Sequence, residues 1–322
     1  MSVLSKPYFH DEAAAFAFVE GILWGSEPVC PHCGCTGRVY ALANVRGSKS
    51  KANPEGAIRH GLKKCGDCRK QFTVRVGTLF EESHLPMTKW LQAIYLLCSS
   101  KKGISAKQLE RTLETTYKTA WFLAHRIREA MRSGELAPFG QGGGSVEVDE
   151  TYLGIDPDKP KSRTTIRNMN MVMTLIDRQT GRARSLVVDH LNAATVTEIL
   201  NANLAREARL ITDEATSYIT PGKAFADHKS VRHARKEYVS QADRTVHTNT
   251  VEGFYSIFKR GMRGVYQHAS KKHLHRYAAE FDFRYSNRIA LGVDDTKRAE
   301  RALQGVVGKR LTYRSTDSRT QA

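Results

Sequence analysis

Three acidic residues stand where they could do chemistry together. Asp149 closes the apolar stretch within SVEVDETYLG, Asp213 closes ARLITDE, and Glu252 opens the helical stretch NTVEGFYSIFKR. Two acids at strand ends and one on a helix suit a pair of divalent ions, because hard cations such as Mg²⁺ select carboxylate oxygens. Such a pair is machinery for phosphoryl transfer. At 3.6 residues per turn, Val251, Phe254, Tyr255 and Phe258 form an apolar stripe on the last stretch, and Asn249, Glu252, Ser256 and Lys259 a polar one beside it. A carboxylate for a metal and the Lys259 ammonium for a phosphate thus share a face. Glu147, Glu150 and Glu214 are alternatives, since alternation sets Glu147 on the same strand face as Asp149. Asn249 is an alternative third member.

The cysteines form a second constellation. Cys30 and Cys33 in CPHCG, and Cys65 and Cys68 in KCGDC, make two Cys-x₂-Cys pairs with 31 residues between them. Each pair in a tight turn aims two thiolates at one point, and four thiolates make the closed tetrahedral site of a structural Zn²⁺. Cys35 breaks the spacing and is read as a bystander; Cys98, in the apolar run TKWLQAIYLLCSS, is read as a buried small hydrophobe. RKQFTVRVGT alternates polar and apolar residues as a strand with one buried face does. The insert NVRGSKSKANPEGAIRHG is basic and poor in apolar residues, and reads as a mobile loop able to touch a DNA backbone.

The balance of 50 Lys+Arg against 33 Asp+Glu, a net charge of +17, favours a polyanionic partner through counterion release. No stretch approaches the roughly 20 apolar residues of a membrane span, and MSVLSKPYFHDEAAAFAF carries acids where a signal peptide needs a clean apolar run. The expectation is a cytoplasmic protein with no membrane partner. At 322 residues the chain has room for two or three domains.

The elements that must position these groups can be read coarsely. Pro86 opens a helix carrying Trp90, Ile94, Tyr95 and Cys98 on one face. Ser105 is an N-cap for AKQLERTLE, and a turn near Thr115 leads into TYKTAWFLAHRIREAMR, where Ala120, Leu123, Ala124, Ile127 and Met131 share a face. Two short helices with a tight join have the form of a helix-turn-helix, which puts Tyr117, Lys118 and Thr119 in the first turn of a DNA-reading helix. GQGGGS, at 140–145, reads as a flexible joint. Beyond it come a strand, a hairpin turned at Gln179-Thr180-Gly181, the helix ATVTEILNANLA, the strand ARLITDE and the helix NTVEGFYSIFKRGM, a mixed α/β layer. In HLHRYAAEFDFRYSNR, Tyr277, Phe281 and Tyr285 repeat at helical spacing and are assigned to packing. The tail, with KRAER and GKR, reads as a partly disordered basic extension.

With 63 residues between Asp149 and Asp213 and 38 between Asp213 and Glu252, the chain resembles the DDE transposases of bacterial insertion sequences, in the subgroup with an N-terminal zinc ribbon. The resemblance is carried by CPHCG, KCGDCRKQFTVRVGT, VEVDETYLG, LITDEATSY, HTNTVEGFYSIFKRG and HLHRYAAEFDFRYSNR, and covers most of residues 25–290. It implies a ribonuclease H-like mixed sheet with flanking helices, behind a small zinc ribbon and a helix-turn-helix-like segment. It implies that Asp149, Asp213 and Glu252 hold two Mg²⁺ or Mn²⁺ ions for strand cleavage at the element's terminal inverted repeats and strand transfer into target DNA. It also implies a homo-oligomer assembled on double-stranded DNA, and so a location with the bacterial nucleoid. His247, Lys259 and Arg260 are expected at phosphates. The implied divisions are a helical segment at 1–24, the ribbon at 25–85, the helix-turn-helix-like segment at 86–135, the linker at 136–145, the catalytic domain at 146–290 and the tail at 291–322. The alternative is a zinc-ribbon DNA-binding regulator, or a transposase remnant with inert acids.

Overall fold

The computed structural model describes residues 2–49, 51, 53–134, 137–156, 159 and 168–312. They fall into two units, one of residues 1–100, 105–131 and 295 onward, the other of 101–104 and 132–294.

The first unit opens with α1 (Glu12–Trp24), whose N-terminus is satisfied by the Asp11 carboxylate accepting from the Ala14 N–H at 2.7 Å. A three-stranded antiparallel sheet follows, β1 (Val39–Ala41), β2 (Lys63–Cys65) and β3 (Gln71–Phe72). The strand expected across RKQFTVRVGT is only two residues long. After Phe72 the chain turns, with the Val76 N–H donating to the Thr73 carbonyl and the Thr78 hydroxyl to that of Arg75, so local hydrogen bonds replace a ladder. Helix α2 (Met87–Ser99) buries Trp90, Ile94 and Cys98 as the periodicity requires. Its first N–H groups, from Met87 and Thr88, donate to the Glu12 carboxylate at 2.7 and 3.1 Å, a cap supplied by another helix. Helices α3 (Ala106–Leu113) and α4 (Tyr117–Met131) complete the helical segment, and Ser105 caps α3 by accepting from the Gln108 N–H at 3.1 Å.

One expectation is corrected here. Within the segment read as a basic tail, Asp295–Gln304 is a helix of this first unit, with Ala299, Ala302 and Leu303 buried. Its Arg298 donates to the Cys98 carbonyl at 2.8 Å, and the Leu79 N–H donates to the Val306 carbonyl at 3.1 Å. The apolar stripe is built of small residues between charges, which is why composition hid it. Residues 313–322 lie outside the described residues.

The second unit is built on a five-stranded sheet of β4 (Ser145–Ile155), β5 (Met169–Asp177), β6 (Arg182–Val188), β7 (Arg209–Thr212) and β8 (Asp227–Ser230), in spatial order β6-β5-β4-β7-β8. The first three strands are antiparallel, and β4, β7 and β8 run parallel. This is a mixed sheet with flanking helices, as expected. One face buries Val146, Val148 and Leu175 against Val196 and Leu200 of α5 (Ala193–Asn203) and against Tyr218, just ahead of the short α6 (Ile219–Gly222). The other buries Leu153, Val172 and Ile176 against Val251, Phe254 and Phe258 of α7 (Asn249–Gly261) and Phe281 of α8 (Lys271–Ser286). The aromatic stripe of α8 packs as assigned, Phe281 edge-on to Phe258 at 5.0 Å and Tyr285 edge-on to Phe254 at 5.3 Å.

The glycine run is also corrected. Phe139 bridges in parallel to Leu204, its N–H donating to the Asn203 carbonyl at 2.8 Å, and the Gly140 N–H donates to Asp177 at 3.3 Å. Gly140 has φ +75°, and a Cβ there would lie 2.4 Å from that of Ala208. Close approach, not freedom of movement, calls for glycine at this position.

Candidate active site and metal centre

The ribbon brings Cys30, Cys33, Cys65 and Cys68 together, with all four sulfurs within 4.8 Å of one another. The Cys30–Cys68 and Cys33–Cys65 Sγ distances are 3.7 and 3.6 Å. Tetrahedral Zn–S bonds of ~2.3 Å place sulfurs about 3.8 Å apart, so the donor set and its spacing fit one Zn²⁺. Gly34, at φ +75°, follows the first knuckle, and its N–H closes that turn on the Cys30 carbonyl at 2.9 Å. In the second knuckle the left-handed position falls to Arg69, at φ +60°, and Gly66 serves instead for close passage of the Arg38 carbonyl. The backbone N–H groups of Cys68 and then Asp67 favour the Cys65 thiolate, drawing its pKa down to about 6. Cys35 stands outside the group, as expected.

The acids lie at the edge of the second unit's sheet where its parallel pairing ends. Glu147 of β4 pairs with Ile211 of β7, the last partners in that ladder. Asp149 and Asp213 each follow two residues later, so matching steps along parallel strands carry them to the same edge. Strand β4 does not end there, as the sequence had implied, but continues to Ile155 along β5, with Asp149 opposite Thr174. Alternation points Asp149 to the face covered by α7, from which Glu252 projects. Burial, then the adjacent Glu150, push the Asp149 carboxyl up to about 7, with Asp213 and Glu252 adding to the effect. Carboxylates that penalise one another's ionisation in this way would be relieved by a bound cation, so the donor set fits hard divalent ions. Among the described residues, only the cysteines converge within 4.8 Å; the acids stand further apart.

The flanking carboxylates have other partners. Glu150 points to the opposite face, where it accepts from the Tyr218 hydroxyl at 2.7 Å. Glu214 accepts from the Ala234 N–H at 2.8 Å. Asp213 accepts from the Ala215 N–H at 3.0 Å. Lys259 lies two turns along α7 from Glu252, half-buried, with its ammonium 6.0 Å from the Tyr255 ring. Arg260 is exposed and folds back on Ser256, donating to its hydroxyl and its carbonyl at 2.9 Å each. In the first unit Tyr117, Lys118 and Thr119 form the first turn of α4, Tyr117 exposed beneath the Lys107 ammonium at 4.8 Å and Thr119 hydrogen-bonded to Thr116.

Comparison with known proteins settles the family. Residues 141–286 match the ISXO2-like transposase domain, and residues 10–71 match the transposase zinc-ribbon domain. The chain belongs to the zinc-ribbon DDE transposases of insertion sequences. A relative described as an uncharacterized protein in transposable element ISH50, from Halobacterium salinarum, is 27% identical over 301 residues, spanning 86% of this chain and 91% of its own. A chain of the simian T-cell lymphotropic virus intasome in complex with PP2A regulatory subunit B56 gamma overlaps 54% of this chain and 63% of its own, at 10% identity and a TM-score of 0.28, a likeness too low to carry an argument.

Further side chains approach these acids. His233 Nε2 lies 3.5 Å from Glu252 Oε1 and 3.2 Å from the Thr248 hydroxyl, which itself donates to Glu252 at 3.1 Å. No periodicity marks His233, which arrives from a short turn of helix after β8. His247, expected at a phosphate, is half-buried, its Nδ1 2.8 Å from Arg178 Nη2. The same Nδ1 lies 3.5 Å from Glu147 Oε1. Glu147 itself is fully buried, bonded to Arg178 and to the start of α7. In the first unit, His10, Arg46, Arg59, His60, Arg75 and His84 line an open groove of about 860 Å³ between α1 and the insert of the ribbon. Among the described residues, no helix of the transposase is long and apolar enough to cross a membrane.

Proposed function

We propose that this protein is the DNA transposase of a bacterial insertion sequence, binding the element's terminal inverted repeats and carrying out strand cleavage and strand transfer with two Mg²⁺ or Mn²⁺ ions at Asp149, Asp213 and Glu252. The observation that carries the reading is the shared sheet edge. Asp149 and Asp213 reach it by matching steps on parallel strands, and Glu252 projects toward it from α7. When bound, such ions polarise the attacking water or 3′-hydroxyl and stabilise the leaving oxygen in an in-line displacement. The chain's own part is to hold these oxygens and to give up the Asp149 proton so that its carboxylate can ligate. Lys259, two turns away on α7, supplies an ammonium for a non-bridging phosphate oxygen.

DNA would be held along the first unit, by the first turn of α4 and by the basic groove of the ribbon, where six cationic or titratable side chains face one carboxylate, Glu12, already engaged with α2. Assembly on two DNA ends calls for at least a dimer of the transposase in the active complex, at the nucleoid.

The test is a plasmid carrying inverted repeats, incubated with the protein and Mg²⁺ and scored for nicking and for joined products. Asp149→Asn and Asp213→Asn are expected to lose at least ~10³-fold in nicking while retaining DNA, since removing a member of a two-metal site removes stabilisation of both oxygens. Retention of DNA by the wild type without metal-dependent nicking would reject this reading in favour of a DNA-binding regulator. Nicking without joined products would make the protein a nuclease.

A further inference from the structure

The acid of VEVDE that shares a strand face with Asp149 has a task of its own. Glu147 is buried at 0% exposure in β4, a placement that a lone carboxylate does not tolerate. Its Oε2 accepts the backbone N–H groups of Thr250 and Val251, each at 2.9 Å, from 103 and 104 residues away. Those are N–H groups of the first turn of α7, which have no intrahelical acceptor. Thr248, at the cap position, gives them none from its side chain, because its hydroxyl is turned to Glu252. Oε1 accepts from Arg178 Nε at 2.5 Å, and the same guanidinium donates to the carbonyls of Thr245 and His247, immediately before α7. One carboxylate and one guanidinium thus satisfy the incoming chain, the helix terminus and each other.

The position of this cluster matters more than its strength. Glu147 lies two residues before Asp149 on the same strand, and Val251 immediately precedes Glu252. A second tie, from the Tyr255 hydroxyl to the Asp149 carbonyl at 2.6 Å, closes the other side. Helix and strand are pinned on both sides of the gap that Asp149 and Glu252 face.

We propose that Glu147, held by Arg178, is a positioning residue that sets the Asp149-to-Glu252 separation and thereby the affinity of the site for divalent metal; this rests on the assignment of those acids as ligands. An anchor of this kind, one layer behind the ligands, typically changes metal affinity 10–100-fold when it is removed. The carboxylate takes no part in the chemistry, so saturating metal restores what its loss takes away.

The experiment measures Mn²⁺ binding by titration calorimetry on the zinc-loaded full chain, and the Mn²⁺ concentration for half-maximal plasmid nicking, for the wild type, Glu147→Gln and Arg178→Lys. Glu147→Asp, which keeps the charge and shortens the reach, stands in should the Gln variant fail to fold. Expected are an Mn²⁺ dissociation constant and a nicking midpoint both raised about tenfold or more, nicking largely recovered at saturating Mn²⁺, and unchanged zinc content. A wild-type midpoint in these variants, with loss only in thermal stability or in the plateau rate, overturns the inference. If the wild type itself binds no Mn²⁺, the ligand assignment falls, and this inference with it.

Discussion

The Tyr255 hydroxyl donates to the backbone carbonyl of Asp149 at 2.6 Å, and its oxygen also lies 3.3 Å from the Val172 carbonyl. A fully buried phenol on α7 therefore reads the backbone of β4 at the acid itself, fixing where that residue sits without touching its carboxylate. Burial, followed by the charge of Asp149, pushes the Tyr255 pKa well up, which keeps the hydroxyl a donor throughout the accessible pH range.

Replacing Tyr255 with Phe leaves the ring in its apolar cluster and strands the Asp149 carbonyl without this donor. The expected cost is about 1–3 kcal/mol of unfolding free energy, from one lost bond and one unsatisfied buried acceptor. Urea denaturation of the variant checks this. A midpoint equal to that of the wild type would mean that the bond adds nothing.

The ribbon makes a sharper prediction. Cys30→Ser, Cys33→Ser, Cys65→Ser or Cys68→Ser should each strip the chain of zinc and melt the β1–β3 sheet, since a small domain draws much of its folding free energy from the metal. Cys35→Ser should retain one zinc per chain. Metal content by atomic emission, read with proteolysis between residues 25 and 85, separates the two classes. Loss of zinc in Cys35→Ser would move that residue into the ligand set.

The elements legible in the sequence were those whose residues carry a period. Trp90, Ile94 and Cys98 marked α2, Ala120 to Met131 marked α4, and the apolar stripe of α7 emerged with Val251, Phe254 and Phe258 buried. Strand β8 could not be read, because Asp227–Ser230 is an edge with no buried position to alternate. Gly140 looked like part of a linker because glycine required for close approach and glycine required for freedom have the same composition. At the site the spacing of Asp149, Asp213 and Glu252 was visible, but the partners were not. Nothing local distinguishes Glu147, which caps a helix a hundred residues away, from a ligand, nor pairs His247 with Arg178.

Asp282 provides a test of stability against pH. Half-buried on α8, it accepts from the Ser185 N–H at 2.7 Å and the Ser185 hydroxyl at 2.6 Å, yet desolvation of the carboxyl still pushes it up to about 7. Its folded pKa therefore lies above the unfolded value of 3.8. The stability it contributes is fully present below the unfolded value and is lost as pH rises toward 7, at most on the order of 4 kcal/mol for three units, and flat above that. Asp282→Asn cannot titrate, and its amide, like the protonated carboxyl, can accept from the Ser185 N–H while donating to the Ser185 hydroxyl. It should melt close to the wild type at pH 5 and above it by pH 8. Melting curves that stay parallel across that range would show that the carboxyl ionises freely in the fold.

Asp149 makes the corresponding prediction for metal binding. Its carboxyl is held up to about 7 by burial, the adjacent Glu150 and the other acids of the site, whereas a ligand must be ionised. Below pH 7 a divalent ion must displace this proton; above pH 8 it has none to displace. Mg²⁺ or Mn²⁺ binding should release about 0.9 proton per chain from this group at pH 6, about 0.5 at pH 7 and about 0.1 at pH 8. Apparent affinity should rise by close to tenfold per unit up to pH 7 and level off above it. Calorimetry in buffers of different ionisation enthalpy counts these protons directly, and Asp149→Asn should abolish both the release and its pH dependence. Proton release that persists in Asp149→Asn would transfer the shared proton to Glu150, whose carboxyl is also raised by burial but is steadied by the Tyr218 hydroxyl.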